Sequence, residues 1–269
     1  MGPDGTFSHT AALDYSKGLY ELREYPTIYA VIQAVNSGEI NCGIVPIENS
    51  IEGSINTTLD ALAYDTDLYI TDEYVLKIDQ NLLVKKGTKK EDIKTIASHS
   101  SAIGQCSKFL HDEFPDAKVT SMNSTVQAAL AARDSDGTTA AIGSVNGAEL
   151  YGLDIMYRTC NDIDNNRTRF VVVSKTRNVS VSGRDKSSVV FTLPHEPGSL
   201  YKALGLFEAA KINMLKIESR PLKTELGKYI FFIDIEGNAD SPEIYFALDN
   251  IRSKTSFYKF LGSYKIFEE

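Results

Sequence analysis

The sequence predicts an α/β chain in two lobes, with a small α+β unit after them. Three observations carry the prediction. Short apolar runs alternate with segments of helical periodicity along the first part of the chain, the rhythm of a largely parallel sheet covered by helices. Two extended segments, DLYITDEYVLKIDQNLLVKKG (67–87) and RTRFVVVSK (167–175), interrupt that rhythm as a crossing between lobes and a return. Beyond a polar stretch the order becomes strand, helix, two strands, helix, strand.

Each element follows from its spacing. Ile28, Val31, Ile32 and Val35 stand at i, i+3, i+4 and i+7, a helix with one buried face. Gly38 stops it, CGIVPI (42–47) is a short apolar strand, and SINTTLDALAY (54–64) reads as a second helix. SHSSAIGQC (98–106) reads as a strand-end loop holding an isolated His99. NSTVQAALAAR (123–133) is a helix with Ser124 as cap and Val126, Ala129 and Leu130 inward. A turn at Asp136–Gly137 leads to the strand TAAIG (139–143) and a short helix near GAELYGL. TRNVSVSGRDKS (176–187) is polar and breaks the pattern. After it, one helix carries Leu200, Ala203, Leu204 and Phe207, and another carries Ile244, Ala247, Leu248 and Ile251. The strands KINMLKIESRP and KYIFFIDIEG lie between them, which is the split β-α-β order of a ferredoxin-like α+β domain. The expected division is 1–176 for the two-lobed part, 177–187 for a linker and 188–269 for the last unit. Lobe one takes about 1–70 and 160–176, lobe two about 71–159. Two lobes joined by two crossings leave a cleft, where ligands of open α/β folds bind.

Bulk properties narrow the function. The chain has 269 residues, is 42% hydrophobic and 24% charged, and carries a net charge of −8, which argues against nucleic-acid or anionic-membrane partners. No apolar run approaches the roughly 20 residues that span a bilayer, and no signal peptide precedes the first motif; a cytoplasmic protein is expected. Cys42, Cys106 and Cys160 are an odd number without CxxC spacing, as in reduced thiols. The four histidines form no HxH or HExxH pattern, so neither a metal nor another cofactor is expected.

Three motifs carry chemistry. GPDGTFS (2–8) is a Gly/Pro turn whose Thr6 and Ser8 either donate to an anion or merely complete the turn. In VPIENSIEGSI (45–55) a strand ends in Glu48, Asn49 and Ser50, with Glu52 just before a helix; this is either a ligand site at a helix N-terminus or a plain capped helix, with Ser50 and Ser54 as caps. NNRTRF (165–170) puts Thr168 and Arg169 at the mouth of an apolar strand, where the guanidinium suits a forked bond to a carboxylate. It reads equally as the solvated start of that strand. PGSLYKAL and NMLKIESRP in the last unit offer no nucleophile–base pair, which favours regulation over a second active site.

GPDGTFSHTAAL, GIVPIENSIEGSI, AAIGS, GAELYGL and NRTRF, in that order, resemble the prephenate dehydratases, bacterial enzymes of phenylalanine biosynthesis, over essentially the whole chain. VPIENSIEG and TRF followed by ESRP carry the resemblance most specifically. It implies a periplasmic-binding-protein-like catalytic part, then an ACT domain that binds phenylalanine and pairs across subunits, giving a homodimer or homotetramer. It implies that Thr168 is the catalytic residue. The implied effector site comprises Gly198, Ser199, Leu200 and Tyr201, Asn213, Met214 and Leu215, and Glu218, Ser219, Arg220 and Pro221. Two departures stand out. Met1 abuts Gly2, where the family carries a short apolar strand, so lobe one is expected to be weakened. His99-Ser100-Ser101-Ala102 replaces the family's SHPQAL, removing a rigid proline and an amide donor and putting this loop's part in binding in doubt.

The implied reaction removes CO₂ and hydroxide from prephenate to give phenylpyruvate, driven by aromatisation, with feedback inhibition by L-phenylalanine. Arg169 is assigned to a substrate carboxylate and Thr168 to the departing hydroxyl. Glu48 or Glu52, made a carboxylic acid by burial, is the candidate proton donor. Asn49, Ser50, Thr6, Ser8 and Ser124 are further substrate-binding candidates, and Phe170 packs beneath. The alternatives are an arogenate dehydratase, a non-catalytic amino-acid sensor and a structural scaffold.

Overall fold

The computed structural model describes residues 1–223, 225 and 227–268. Thr224, Leu226 and Glu269, all within the expected 188–269 unit, lie outside the described residues. The chain forms two compact units, one of Met1–Val31, Pro46–Ile55 and Val75–Phe170, the other of Ile32–Val45, Asn56–Tyr74 and Val171–Glu269. The class is mixed α/β.

Helix α1 (Phe7–Ser16) follows the Gly/Pro turn directly; with alanines and hydroxyls instead of an apolar stripe, it gives no periodic signal. Helix α2 (Ile28–Ser37) buries Val31, Ile32 and Val35, as its spacing predicts. Strand β1 (Cys42–Asn49) runs into the short β2 (Gly53–Ser54), then α3 (Asn56–Asp60). The helix expected over 54–64 does not continue regularly, because Ala61–Asp65 widens into a π-helical turn. Strand β3 (Tyr69–Lys77) joins β1 and β9 (Arg167–Ser174) in a four-stranded sheet of order β2-β1-β9-β3.

The next strand, β4 (Asn81–Val84), belongs to a different sheet, so the 67–87 segment does pass from one sheet to another. That sheet also holds β5 (Thr95–His99), β6 (Lys118–Met122), β7 (Thr139–Gly143) and β8 (Asp154–Tyr157), in the order β6-β5-β7-β4-β8. β5 is parallel to β6 and β7, whereas β4 is antiparallel to β7 and β8, so the sheet is mixed. Alternate side chains go to opposite faces. Leu82, Val84, Ile96, Ala140 and Ile142 enter one core, with α4 (Ser100–Gln105) and α5 (Ser107–Glu113); Leu83, Ala97 and Ala141 enter the other, with α6 (Thr125–Asp134) and α7 (Val145–Tyr151). Each fully buried Leu or Ile contributes roughly 1.5–3 kcal/mol. Two expectations are corrected. Residues 100–105 are helix rather than loop, begun by His99, whose ring accepts from Ser101 N. In α6 the buried residues are Ala128, Ala129 and Ala132, with Val126 and Leu130 only half-buried, because alanines let the helix pack closely on the sheet.

The C-terminal part has β10 (Asp185–Thr192), α8 (Ser199–Ala209), β11 (Met214–Pro221), β12 (Tyr229–Glu236), α9 (Pro242–Arg252) and β13 (Tyr258–Lys265). Its antiparallel sheet runs β11-β12-β10-β13, the order that split β-α-β connections produce. Val189, Phe191, Ile233 and Ile235 pack against Phe207, Ile244, Leu248 and Ile251 of its two helices.

One backbone position is tightly specified. Ser188 pairs with Gly262 and Val189 with Phe260, so Leu261 is the extra residue of a β-bulge. Gly262 has φ +139°, and a Cβ there would overlap the carbonyl oxygen of Ile70 in β3. Gly262→Ala is expected to destabilise the fold by about 3 kcal/mol or more, from strain plus overlap. Chemical denaturation measures it.

Candidate active site

The site is assembled where β1 ends and β9 begins. Ser50 N donates to Arg167 O at 2.9 Å, and Arg167 N donates back to Ser50 Oγ at 2.9 Å. Ser50 Oγ also donates to Asn165 O at 2.9 Å. Ser50 therefore fastens the two strand ends instead of capping a helix, and Ser54 lies in β2.

Between these fasteners sits Asn49, only 7% exposed. Its Oδ1 accepts the backbone N–H groups of Ile51 and Glu52, both at 2.9 Å. Its Nδ2 faces three acceptors, Thr168 Oγ1 at 2.9 Å, Asn166 Oδ1 at 2.9 Å and Arg167 O at 3.2 Å, and shares its two protons among them. Thr168 is 8% exposed. Accepting from Asn49 uses an oxygen lone pair and leaves the O–H proton for another acceptor. Asn166, fully buried, passes its Nδ2 to Gln105 Oε1 at 2.9 Å, and Gln80 Nε2 reaches the same oxygen at 3.1 Å. Gln105 Nε2 lies 3.3 Å from Glu52 Oε1 and 3.2 Å from Ser101 Oγ, and Ser101 Oγ donates to Glu52 Oε1 at 3.1 Å.

Neighbouring residues on a strand face opposite sides. Thr168 meets Asn49 on one face of β9, while Arg169 meets Glu48 on the other, with Arg169 Nη2 at 3.3 Å from Glu48 Oε2. The Arg169 side chain is 12% exposed and that of Glu48 38%. Glu52 is exposed. Neither glutamate is buried, whereas the expected proton donor was to be a buried one. Phe170 is fully buried beneath the strand end.

Other expected site residues are used locally. Thr6 caps α1, accepting from His9 N at 3.2 Å and donating to Pro3 O at 2.7 Å. Ser124 caps α6 through Gln127 N. Ser8 lies in the first turn of α1. Among the described residues none of the three is hydrogen-bonded to the Asn49–Thr168 cluster. The loop put in doubt by its departure from SHPQAL does reach the site, through Ser101 and Gln105. Asn166, Gln80 and Gln105 were not foreseen. The one signal for Asn166 was its place in NNRTRF, as an uncharged donor and acceptor before an apolar strand. Burial pushes the Cys160 thiol up to about 11 and that of Cys106 higher still, so neither is a nucleophile.

In the C-terminal part, Gly198 starts α8 in the left-handed region, with Ser199, Leu200 and Tyr201 in its first turn. Ser199 and Leu200 border a shallow pocket with Leu193, Pro194 and Tyr229. The Asn213 carbonyl accepts from Glu236 N. β11 is an edge strand; Leu215, Ile217, Ser219 and Pro221 are exposed, and Met214, Glu218 and Arg220 half-buried. Arg220 forks onto Asp60, Nε to Oδ1 at 3.0 Å and Nη2 to Oδ2 at 3.1 Å, and also bonds Asn56. Lys223 adds a second cation, 3.1 Å from Asp60. Among the described residues no group of three or more His, Cys, Asp and Glu is arranged to hold a metal, and no helix is long and apolar enough to cross a membrane.

This chain is similar to several known proteins. The prephenate dehydratase profile matches residues 1–178. The prephenate dehydratase of Methanocaldococcus jannaschii is 39% identical over 272 residues, 99% of this chain and 97% of that one. The bifunctional chorismate mutase/prephenate dehydratase of Aquifex aeolicus is 38% identical over 264 residues, 98% of this chain and 72% of that protein. The crystal structure of prephenate dehydratase in complex with L-Phe from Arthrobacter aurescens has a TM-score of 0.91 at 33% identity, covering 99% of this chain and 89% of that one. The chain is an enzyme of the lyase class, and it belongs to the prephenate dehydratase family.

Asn49→Ala removes the acceptor for two backbone N–H groups, at an expected cost of about 2–3 kcal/mol. Hydrogen exchange at Ile51 and Glu52 is expected to quicken by about tenfold or more, read by NMR.

Proposed function

We propose that the chain converts prephenate to phenylpyruvate at the β1–β9 strand ends, with Thr168 as the catalytic donor. The observation that carries this is the bond from Asn49 Nδ2 to Thr168 Oγ1. It holds a hydroxyl so that its proton points away from Asn49, toward an acceptor such as the departing oxygen. In the reaction the ring C–CO₂⁻ bond breaks and its electron pair completes the aromatic ring. The C–OH bond breaks with its pair going to oxygen, which leaves as hydroxide into the solvent. A threonine hydroxyl is too weak an acid to give up its proton, so Thr168 acts by hydrogen bonding, as an oxyanion-hole donor does.

Arg169 binds a substrate carboxylate by forked hydrogen bonds, with Glu48 holding the guanidinium in place beforehand. Because Thr168 and Arg169 face opposite sides of β9, the substrate reaches around the strand's end to touch both. Glu48 and Glu52 are held as acceptors by Arg169 and by Ser101 and Gln105, which favours substrate positioning over proton donation. Asn49 and Ser50 shape the loop around the substrate. Thr6, Ser8 and Ser124 keep a lower rank as substrate contacts. Thr168→Ala is expected to lower kcat by about 10²–10³, the loss seen for one oxyanion donor. Arg169→Lys is expected to raise KM by about tenfold, since one charge-assisted bond is worth roughly 1.5–3 kcal/mol. Wild-type turnover in both folded variants would sink the assignment. A faster rate on arogenate than on prephenate would reassign the substrate. No turnover on either would leave an amino-acid sensor.

The catalytic part is 1–176 and the regulatory ACT unit 188–269, joined by 177–187. L-Phenylalanine binds the second unit near Gly198–Tyr201, Asn213–Leu215 and Glu218–Pro221, at an interface of a homodimer or homotetramer in the cytoplasm. The complex of the Arthrobacter aurescens relative with L-Phe supports this effector. An effector acts through its different affinities for two arrangements. The forked pair of Arg220 and Asp60 joins the ESRP strand to α3, a route from one to the other. Turnover of prephenate is expected to fall when phenylalanine is added; activation, or unchanged turnover with phenylalanine bound, would overturn the regulatory reading.

A further inference from the structure

We infer that Asn166 is a positioning residue: it carries the hydrogen-bonding polarity fixed at Asn49, which leaves Thr168 a donor, on to Gln105, so that Gln105 turns its amide nitrogen to the Glu52 carboxylate. The inference rests on Thr168 as the donor to the leaving hydroxyl.

The argument starts from groups whose direction is not adjustable. Backbone N–H groups only donate and backbone carbonyls only accept. Ile51 N and Glu52 N at 2.9 Å require Asn49 to present its oxygen to them, and Arg167 O at 3.2 Å requires Asn49 to present its nitrogen to β9. Asn49 cannot flip without breaking all three bonds. Thr168 must then accept from it, and Asn166 must show it Oδ1. The Asn166 nitrogen is thereby aimed at Gln105, which must answer with Oε1. The Gln105 nitrogen is left for the Glu52 carboxylate and Ser101. Polarity set by the backbone at Asn49 is handed through Asn166 to Gln105 and ends on Glu52. Asn49, Asn166 and Gln105 are all more than nine-tenths buried, so water does not readily substitute for a link.

Asn166 is the link that can be reversed without disturbing the backbone anchors. In Asn166→Asp the protonated carboxyl mimics the amide: its carbonyl oxygen accepts from Asn49, and its O–H donates to Gln105. The ionised carboxylate offers Gln105 an oxygen instead. Gln105 must then turn its own oxygen toward Glu52, where two acceptors repel, and its nitrogen toward Gln80 Nε2, whose bond to the Gln105 oxygen is lost unless Gln80 turns as well. The groups bonded to the side chain at 166 are the neutral amides of Asn49 and Gln105, with the Gln80 amide and the Glu52 carboxylate beyond Gln105; Ile78 N–H bonds the main-chain carbonyl of 166. Burial and that carboxylate both disfavour ionisation, so the new group titrates above the ordinary aspartate range. Activity present when it is protonated is lost as pH rises through that value.

The test measures kcat and KM for prephenate between about pH 5.5 and 8.5 in wild type, Asn166→Asp and Asn166→Leu, with the uncatalysed rate subtracted and thermal unfolding as a fold control. Asn166→Asp is expected to lose about tenfold or more in kcat at pH 8.5 and to regain most of it, relative to wild type, by pH 5.5. Its KM should stay within about threefold. Asn166→Leu should stay low at every pH. A kcat ratio to wild type that does not change with pH in folded Asn166→Asp, or a deficit lying wholly in KM, overturns the inference. If wild type itself does not turn over prephenate, the functional reading fails. The side-chain amide resonances of Gln105 then decide for the network: titration with pH in Asn166→Asp supports it, and resonances identical to wild type at both pH extremes overturn it.

Discussion

The site depends on one side-chain amide. Asn49 closes the turn after β1 with its oxygen and holds the mouth of β9 with its nitrogen. A charged residue could do one of these tasks but not both, since a carboxylate only accepts and an ammonium only donates. Buried in this position, a charge would also pay heavily for desolvation. An amide brings donor and acceptor together at fixed separation and no net charge. The site accordingly keeps its carboxylates, Glu48 and Glu52, nearer the solvent and its uncharged amides inside.

Much of the fold was legible because it rests on repeating apolar spacing. The helices at Ile28–Ser37 and Pro242–Arg252, and the split β-α-β order of the last unit, follow from residues spaced to share one face. What was not legible has local reasons. α1 contains Ser, His and Thr among its alanines and shows no stripe. The π-helical turn at Ala61–Asp65 leaves the apolar pattern of an ordinary helix intact, so only its backbone reveals it. Residues 100–105 look like loop because serines and a glycine dominate them.

The site was legible in its strands and not in its wiring. Glu48, Asn49, Ser50, Thr168 and Arg169 do converge. Sequence order cannot show that Asn49 faces Thr168 while Glu48 faces Arg169; that follows from strand alternation once register is known. Gln105 comes from a segment more than fifty residues away, and its partnership with Asn166 depends on packing between a helix and a strand. Thr6 and Ser124, the lower-ranked candidates for substrate contact, also cap helices, Thr6 accepting from His9 N and Ser124 from Gln127 N.

The close approach of Gly262 to Ile70 bears on how this protein can be recombined. A C-terminal domain of the same topology taken from another protein would meet the β3 backbone at this point with whatever residue it carried there. Any side chain would hold the two surfaces apart and leave the buried groups around them unmatched. Strands β13 and β3 are keyed to each other by the absence of a single carbon atom, so a graft of the C-terminal strands and helices onto this chain is expected to need a glycine at the same bulge.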